Sequence, residues 1–157
     1  SIGSSAGTFH NVFMDSLNLD DDTIVYFLEN DYIHAPNSMN ALFDGFDIGA
    51  HYVTLYDHPD KYISSYDYGE PTRVMKGNVC HWKMTISTTM TFAAKVSTLT
   101  EDKDIWIENT GGSYPTDHQA FTQLREKGRT LVSPIPGYST HGETAWLSPF
   151  RNWEMII

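Results

Sequence analysis

A single cysteine, Cys80, stands among the 157 residues. That excludes an intramolecular disulfide and any zinc site built on several thiolates; beside His81 and Trp82 it reads as a buried structural thiol. Cationic side chains are also scarce, with ten Lys and Arg against twenty Asp and Glu and a formal net charge of −10. A field of that sign repels nucleic acid and anionic membrane surfaces, so an anionic ligand needs a bridging cation or a local basic pocket. No apolar stretch approaches the ~20 residues of a membrane span. The opening SIGSSAGTF has no basic region leading into an apolar run; without a visible secretory leader, a cytoplasmic location is expected. Nucleophile elbow, Walker loop, dinucleotide fingerprint, HExxH and EF-hand loop are all missing.

What the chain does have is a core. Hydrophobic residues make up 40% and aromatic residues 13% of it, which argues for a folded domain over residues 1–157 rather than disorder. A chain of this length buries roughly two-thirds of its extended surface. The cluster DDD at Asp20–Asp22 reads as a solvated turn between a helix and a strand.

The most informative stretch is TIVYFLENDYIH, residues 23–34. The run Ile24-Val25-Tyr26-Phe27-Leu28 does not alternate with polar residues, so it predicts a strand covered on both faces, as in a mostly parallel sheet. Glu29 and Asp31 follow at its carboxyl end, where open α/β sheets place ligands. Alternate residues of an extended chain point the same way, so the two carboxylates can share a site. Oxygen ligands of that kind suit Mn²⁺ or Mg²⁺; the plain alternative is a solvated strand end.

Around this strand the spacing of Phe9, Val12, Phe13, Ser16 and Leu17 predicts a helix. A second helix is expected over 36–48, with Met39, Leu42, Phe43 and Phe46 on one side. HYVTLYDH reads as a strand ending at Asp57 and His58, and 61–77 as loop with a short hairpin. Residues 79–99 read as one or two antiparallel strands whose last part, FAAKVSTL, is able to turn helical. A short helix is expected within 102–108. TDHQAFTQLREKG is a helix capped by Thr116, boxed by Gln119 and stopped by Gly128. TLVSPIPG is a short strand, and the tail from Tyr138 is loop-like. Trp82, Tyr56, Tyr138 and Trp146 are read as packing residues or as platforms for a sugar or base.

Two further polar groupings matter. Asp117 falls in the first turn of its helix, where the helix dipole keeps a carboxylate ionised; it is either a general base for an acceptor hydroxyl or a capping charge. His141 and Glu143 sit in SPIPGYSTHGE, a loop stiffened by prolines, and His141 is a remote metal-ligand candidate. Ser87, Thr88 and Thr89 lack an activating neighbour and are better hydrogen-bond donors than nucleophiles.

In this order, FLENDY, YPTDHQAF and YSTHGE resemble the motifs of nucleotide-sugar-dependent glycosyltransferases of the GT-A fold. The resemblance implies a GT-A-like sandwich with a mostly parallel central sheet and a few antiparallel strands. It implies a cation, Mn²⁺ or Mg²⁺, held by Asp31 with His141 and Glu29 against a nucleoside-diphosphate sugar. Ser5, in the helix before the strand, and Thr88 and Thr89 would then touch the donor, and Asp117 would be the base that deprotonates a glycan or other hydroxyl acceptor, with inversion. The family's domain opens with a βαβ region expected before Ser1, so the chain would be the C-terminal two-thirds of such a domain. Its exposed face would be covered by a second copy. Two other readings are a metal-dependent phosphoester hydrolase using Glu29, Asp31, Asp117 and His141, and a non-catalytic glycan-binding or structural module.

Overall fold

The structure is a computed structural model and describes residues 5–63, 73–112 and 116–156. In chain order it runs α1 (Ser5–Ser16), β1 (Ile24–Phe27), β2 (Tyr32–His34), α2 (Ser38–Asp47), β3 (Tyr52–Val53), β4 (Val74–Lys76), β5 (His81–Thr85), β6 (Phe92–Lys95), α3 (Val96–Glu101), α4 (Lys103–Thr110), α5 (Asp117–Glu126), β7 (Leu131–Ile135) and β8 (Ser139–His141). Short 3-10 turns at Pro59–Tyr62, Thr144–Trp146 and Trp153–Met155 punctuate the connections.

Six strands form one sheet in the order β1-β6-β3-β7-β5-β4, and β2 pairs with β8 in a separate ribbon. Among the described residues only β3 and β7 run parallel; the other neighbours in the large sheet are antiparallel. This overturns the expected mostly parallel sheet and with it the GT-A-like sandwich. The apolar run at 24–28 signals coverage of two faces, and coverage does not fix strand direction. Val25 and Phe27 pack into a core with Phe13, Phe92, Trp106 and Phe121, whereas Ile24 and Tyr26 pack against a second core with Ala41, Leu42, Val53 and Trp82. Helices α1, α4 and α5 thus cover one face and α2 the other, which is why neither parity of the strand is polar. Among the described residues the strand also lies at the sheet edge, bonded to β6 alone, and not inside it. Leu28 falls beyond it and is half-exposed.

The helix at 38–47 buries only part of the face its spacing predicts: Leu42 is buried and Phe46 packs against the second core. Ala41, Leu42, Asp44 and Gly45 are buried, while Met39 and Phe43 are 60% and 49% exposed. Gly45 explains the choice: a Cβ there would sit 2.6 Å from Val53 Cγ1, so only a glycine face lets α2 approach the sheet this closely. Helix α5 begins at Asp117 as expected and ends before Gly128, whose φ of +92° suits glycine. Thr116 does not cap it with its side chain; its hydroxyl donates to the Asn109 carbonyl instead. Buried Asp102 ties the framework together, accepting hydrogen bonds from Tyr52 in β3 and from Lys127 and Arg129 beyond α5. Among the described residues no helix is long and apolar enough to cross a membrane.

Candidate functional site

The ribbon of β2 and β8 brings the ends of the chain's two polar motifs together. Its register sets Tyr32 opposite His141, and Gly142 N–H donates to the Asp31 carbonyl at 2.8 Å. A Cβ on Gly142 would meet that carbonyl oxygen at 2.9 Å, so the glycine after His141 is what permits the close pass. His141 Nε2 then lies 3.1 Å from Asp31 Oδ2. The other ring nitrogen, Nδ1, accepts from Glu143 N–H at 3.1 Å, which leaves the proton of a neutral ring on Nε2, facing the carboxylate.

Glu29 joins them through its charge. Burial, then the neighbouring Asp31 carboxylate, raise its carboxyl above the ordinary range; His141 opposes the rise and Asp117 adds to it. Tyr32 is held neutral chiefly by burial, with Glu29 and Asp31 contributing in the same direction. Its hydroxyl shares a 2.9 Å hydrogen bond with Thr89 Oγ1. Thr88 N–H donates to Asp117 Oδ2 at 3.1 Å. Glu29, Asp31, His141, Thr88, Thr89 and Asp117, spread over the length of the sequence, therefore belong to one neighbourhood. Ser5 opens α1, but its side chain lies outside the described residues.

Beside this polar cluster runs a cleft of about 600 Å³, bounded by Thr8, Phe9 and Val12 of α1, by residues 25–31, and by Met90. That volume falls within the ~300–1,000 Å³ of small-ligand sites. Its walls are mostly apolar and aromatic, with Thr8 among them, and Glu29, Asn30 and Asp31 mark its polar end. Tyr26, on the wall, shares a 3.0 Å hydrogen bond with His34 Nε2. The resemblance implies that the helix before the strand lines the pocket, and Thr8, Phe9 and Val12 of α1 do border this cleft; Met90 carries no such mark in the sequence. Of the candidate platforms, Trp82 and Tyr56 are buried, Tyr138 is partly buried with the Arg151 guanidinium over its ring, and Trp146 is 38% exposed. Cys80 is free and partly exposed.

The donor set does not form a ready cation site. Among the described residues no group of three His, Cys, Asp or Glu is disposed to hold a metal ion. Ligation through His141 Nε2 would require that nitrogen to lose its proton and Nδ1 to give up the Glu143 amide. Compared with models of protein families and with curated proteins, the chain matches none. With neither a mostly parallel sheet nor a three-ligand cluster among the described residues, the expectations of a GT-A glycosyltransferase, of a manganese enzyme and of metal-assisted catalysis in general lose their support. The two carboxylates of the acid-x-acid motif differ in environment: Glu29 is partly desolvated, while Asp31 is engaged by His141.

Proposed function

We propose that the chain is a binding module for a neutral, hydroxyl-rich ligand, a glycan, seated in the cleft between α1 and the end of β1. The single observation behind this reading is the make-up of the lining. Apolar and aromatic side chains form most of the walls beside Thr8, three planar polar side chains lie at one end, and among the described residues no Lys, Arg or His lines it. A sugar ring has the same division, with C–H faces that lie on apolar walls and an equatorial belt of hydroxyls that needs hydrogen-bond partners once desolvated. Carboxylate and carboxamide groups accept from or bridge adjacent hydroxyls. A phosphate-bearing ligand such as a nucleoside-diphosphate sugar is disfavoured, since the described lining offers it carboxylates and no cation. A divalent cation, Mn²⁺ or Mg²⁺, is proposed only as a weak and dispensable occupant of the Asp31–His141 pair.

The test is titration calorimetry against a panel of neutral oligosaccharides, with Glu29→Gln and Asp31→Asn as variants and EDTA present. Binding that weakens about tenfold in each variant, as expected for loss of one charged hydrogen bond, and that survives EDTA supports the reading. Failure of every neutral sugar at millimolar concentration would overturn it. So would tighter binding of a nucleoside-diphosphate sugar that requires Mn²⁺.

A further inference from the structure

The connection between β5 and β6 contains a turn that the backbone does not favour. Thr89 and Met90 both have positive φ, 50° and 60°, and Thr91 N–H closes the turn onto the Thr88 carbonyl at 3.3 Å. Two successive left-handed residues are the pattern of a type I′ turn, which normally takes Asn or Gly. A threonine and a methionine there are strained, because their Cβ crowds the backbone. Such a turn persists only when its surroundings hold it.

Two groups from outside the turn supply that hold. Asp117 Oδ2, at the start of α5, accepts the Thr88 amide at 3.1 Å. Tyr32 meets the Thr89 hydroxyl at 2.9 Å, and that hydroxyl in turn donates to the Thr88 carbonyl at 2.7 Å. Thr88 itself is 1% exposed, which shields the bond from its amide to Asp117, whereas the Tyr32–Thr89 bond lies at the surface. What the turn delivers is Met90, which is 7% exposed, packs into the larger core and walls the cleft. Its far end touches the cleft again, through the 3.4 Å contact of Thr91 Oγ1 with the Tyr26 hydroxyl.

We infer that Asp117 and Tyr32 are positioning residues that clamp the strained 88–91 turn and thereby set Met90 as the wall that fixes the shape of the cleft. As a statement about the ligand, this rests on the glycan reading; as a statement about the turn, it does not. Asp117 acts as a hydrogen-bond acceptor for a backbone amide, and its charge is incidental. An asparagine carbonyl accepts the same bond. Glycine at position 89 relieves the left-handed strain, so it makes the clamp less necessary.

Two readouts separate the parts. One is independent of ligand: amide exchange at Thr91 and the ¹³C-methyl resonance of Met90, by NMR on the full chain. The other is affinity for the best neutral oligosaccharide. Asp117→Ala is expected to raise exchange at Thr91 at least tenfold, shift the Met90 methyl and weaken binding about tenfold. Asp117→Asn should behave as wild type in all three, and Thr89→Gly added to Asp117→Ala should restore the Met90 resonance and most of the affinity. If Asp117→Asn weakens binding as much as Asp117→Ala, or if Asp117→Ala leaves Thr91 and Met90 unmoved, the clamp is wrong. If the NMR changes occur as stated but no sugar binds, the clamp stands and the glycan reading falls. Should Asp117→Ala not fold, Tyr32→Phe removes the second hold and must produce the same displacement of Met90.

Discussion

Lys83 Nζ lies 2.5 Å from Asp57 Oδ1, with the side chains 7% and 0% exposed, so β5 and the end of the β3 segment are joined by a buried ion pair. The Tyr62 hydroxyl donates to the other Asp57 oxygen at 2.7 Å. Burial pushes the Asp57 carboxyl up, and the Lys83 charge only partly offsets that. Breaking such a pair by removing one partner costs about 3–5 kcal/mol, because a buried charge is left alone. Lys83→Met is therefore expected to lose about that much in urea unfolding at pH 7. Without Lys83 the carboxyl rises further, and a raised folded pKa stabilises below the unfolded value and ceases to as pH rises through the folded one. The deficit of Lys83→Met should accordingly shrink toward pH 4. A deficit that is constant across this range would mean that Asp57 does not take the proton.

Asp44 behaves in the opposite sense. Burial alone would raise its carboxyl, but the Trp82 indole N–H at 2.9 Å and the amides of Asn78 and Val79 together hold it below the usual range. A depressed folded pKa gives stability that is present above the unfolded value near ~3.9 and is lost as pH falls through the folded one. Asp44→Ala is expected to cost on the order of 3 kcal/mol at pH 7, since it strands an indole and two amides. Thermal unfolding between pH 2 and 6 should show a weaker acid dependence in Asp44→Asn than in wild type. Equal acid slopes would take this role away from Asp44.

The local elements were largely legible in the sequence. The helix at 5–16, the change from strand to helix within FAAKVSTL and the stop at Gly128 follow from spacing and from glycine. Strand direction was not, because Ile24 to Phe27 carry the same apolar residues whether the partner runs parallel or antiparallel, and the partner, β6, lies far along the chain. The approach of His141 to Asp31 arises from the long-range pairing of β2 with β8, and Asp117 is brought near by the bond of α5 to the Thr88 amide. What those side chains do was not readable. Asp117 is bound to a backbone amide and His141 is bound at both nitrogens, and no spacing rule encodes that. Lys83 gives no sign in its surroundings, His-Trp-Lys-Met-Thr, that its ammonium is buried.

Cys80 yields a direct chemical check. Burial, then the Asp44 carboxylate, push its thiol up to about 12. Because the thiolate is the reactive form and an ordinary thiol has a pKa of ~8.5, the thiolate fraction at pH 8 is lower than for a free thiol by roughly a thousandfold. Alkylation of the native protein by iodoacetamide at pH 8 should be slower than that of glutathione by a comparable factor. It should become ordinary in urea. Rapid labelling of the native state would show the thiol to be in a polar setting.

Val12 and Leu28 decide whether the cleft is a ligand site or a contact between copies of the chain. Both line the cleft, and they are 51% and 48% exposed. A large substitution at either therefore disturbs little of the core and should change stability by less than about 0.5 kcal/mol. Val12→Lys places an ammonium among the apolar walls and opposite the carboxylates of Glu29 and Asp31, where it takes up room and pairs with the groups a sugar needs. If the cleft holds a glycan, this variant should bind the best oligosaccharide at least tenfold more weakly, with an unchanged melting temperature and unchanged mass by light scattering. If instead a second copy covers the cleft, wild type should have the mass of a dimer and Val12→Lys that of a monomer, and sugar should affect neither. Light scattering at several protein concentrations, run beside the calorimetry, separates the two. A wild-type dimer that dissociates in Val12→Lys while sugar binding is absent would replace the glycan by the chain's own copy as the occupant of this cleft.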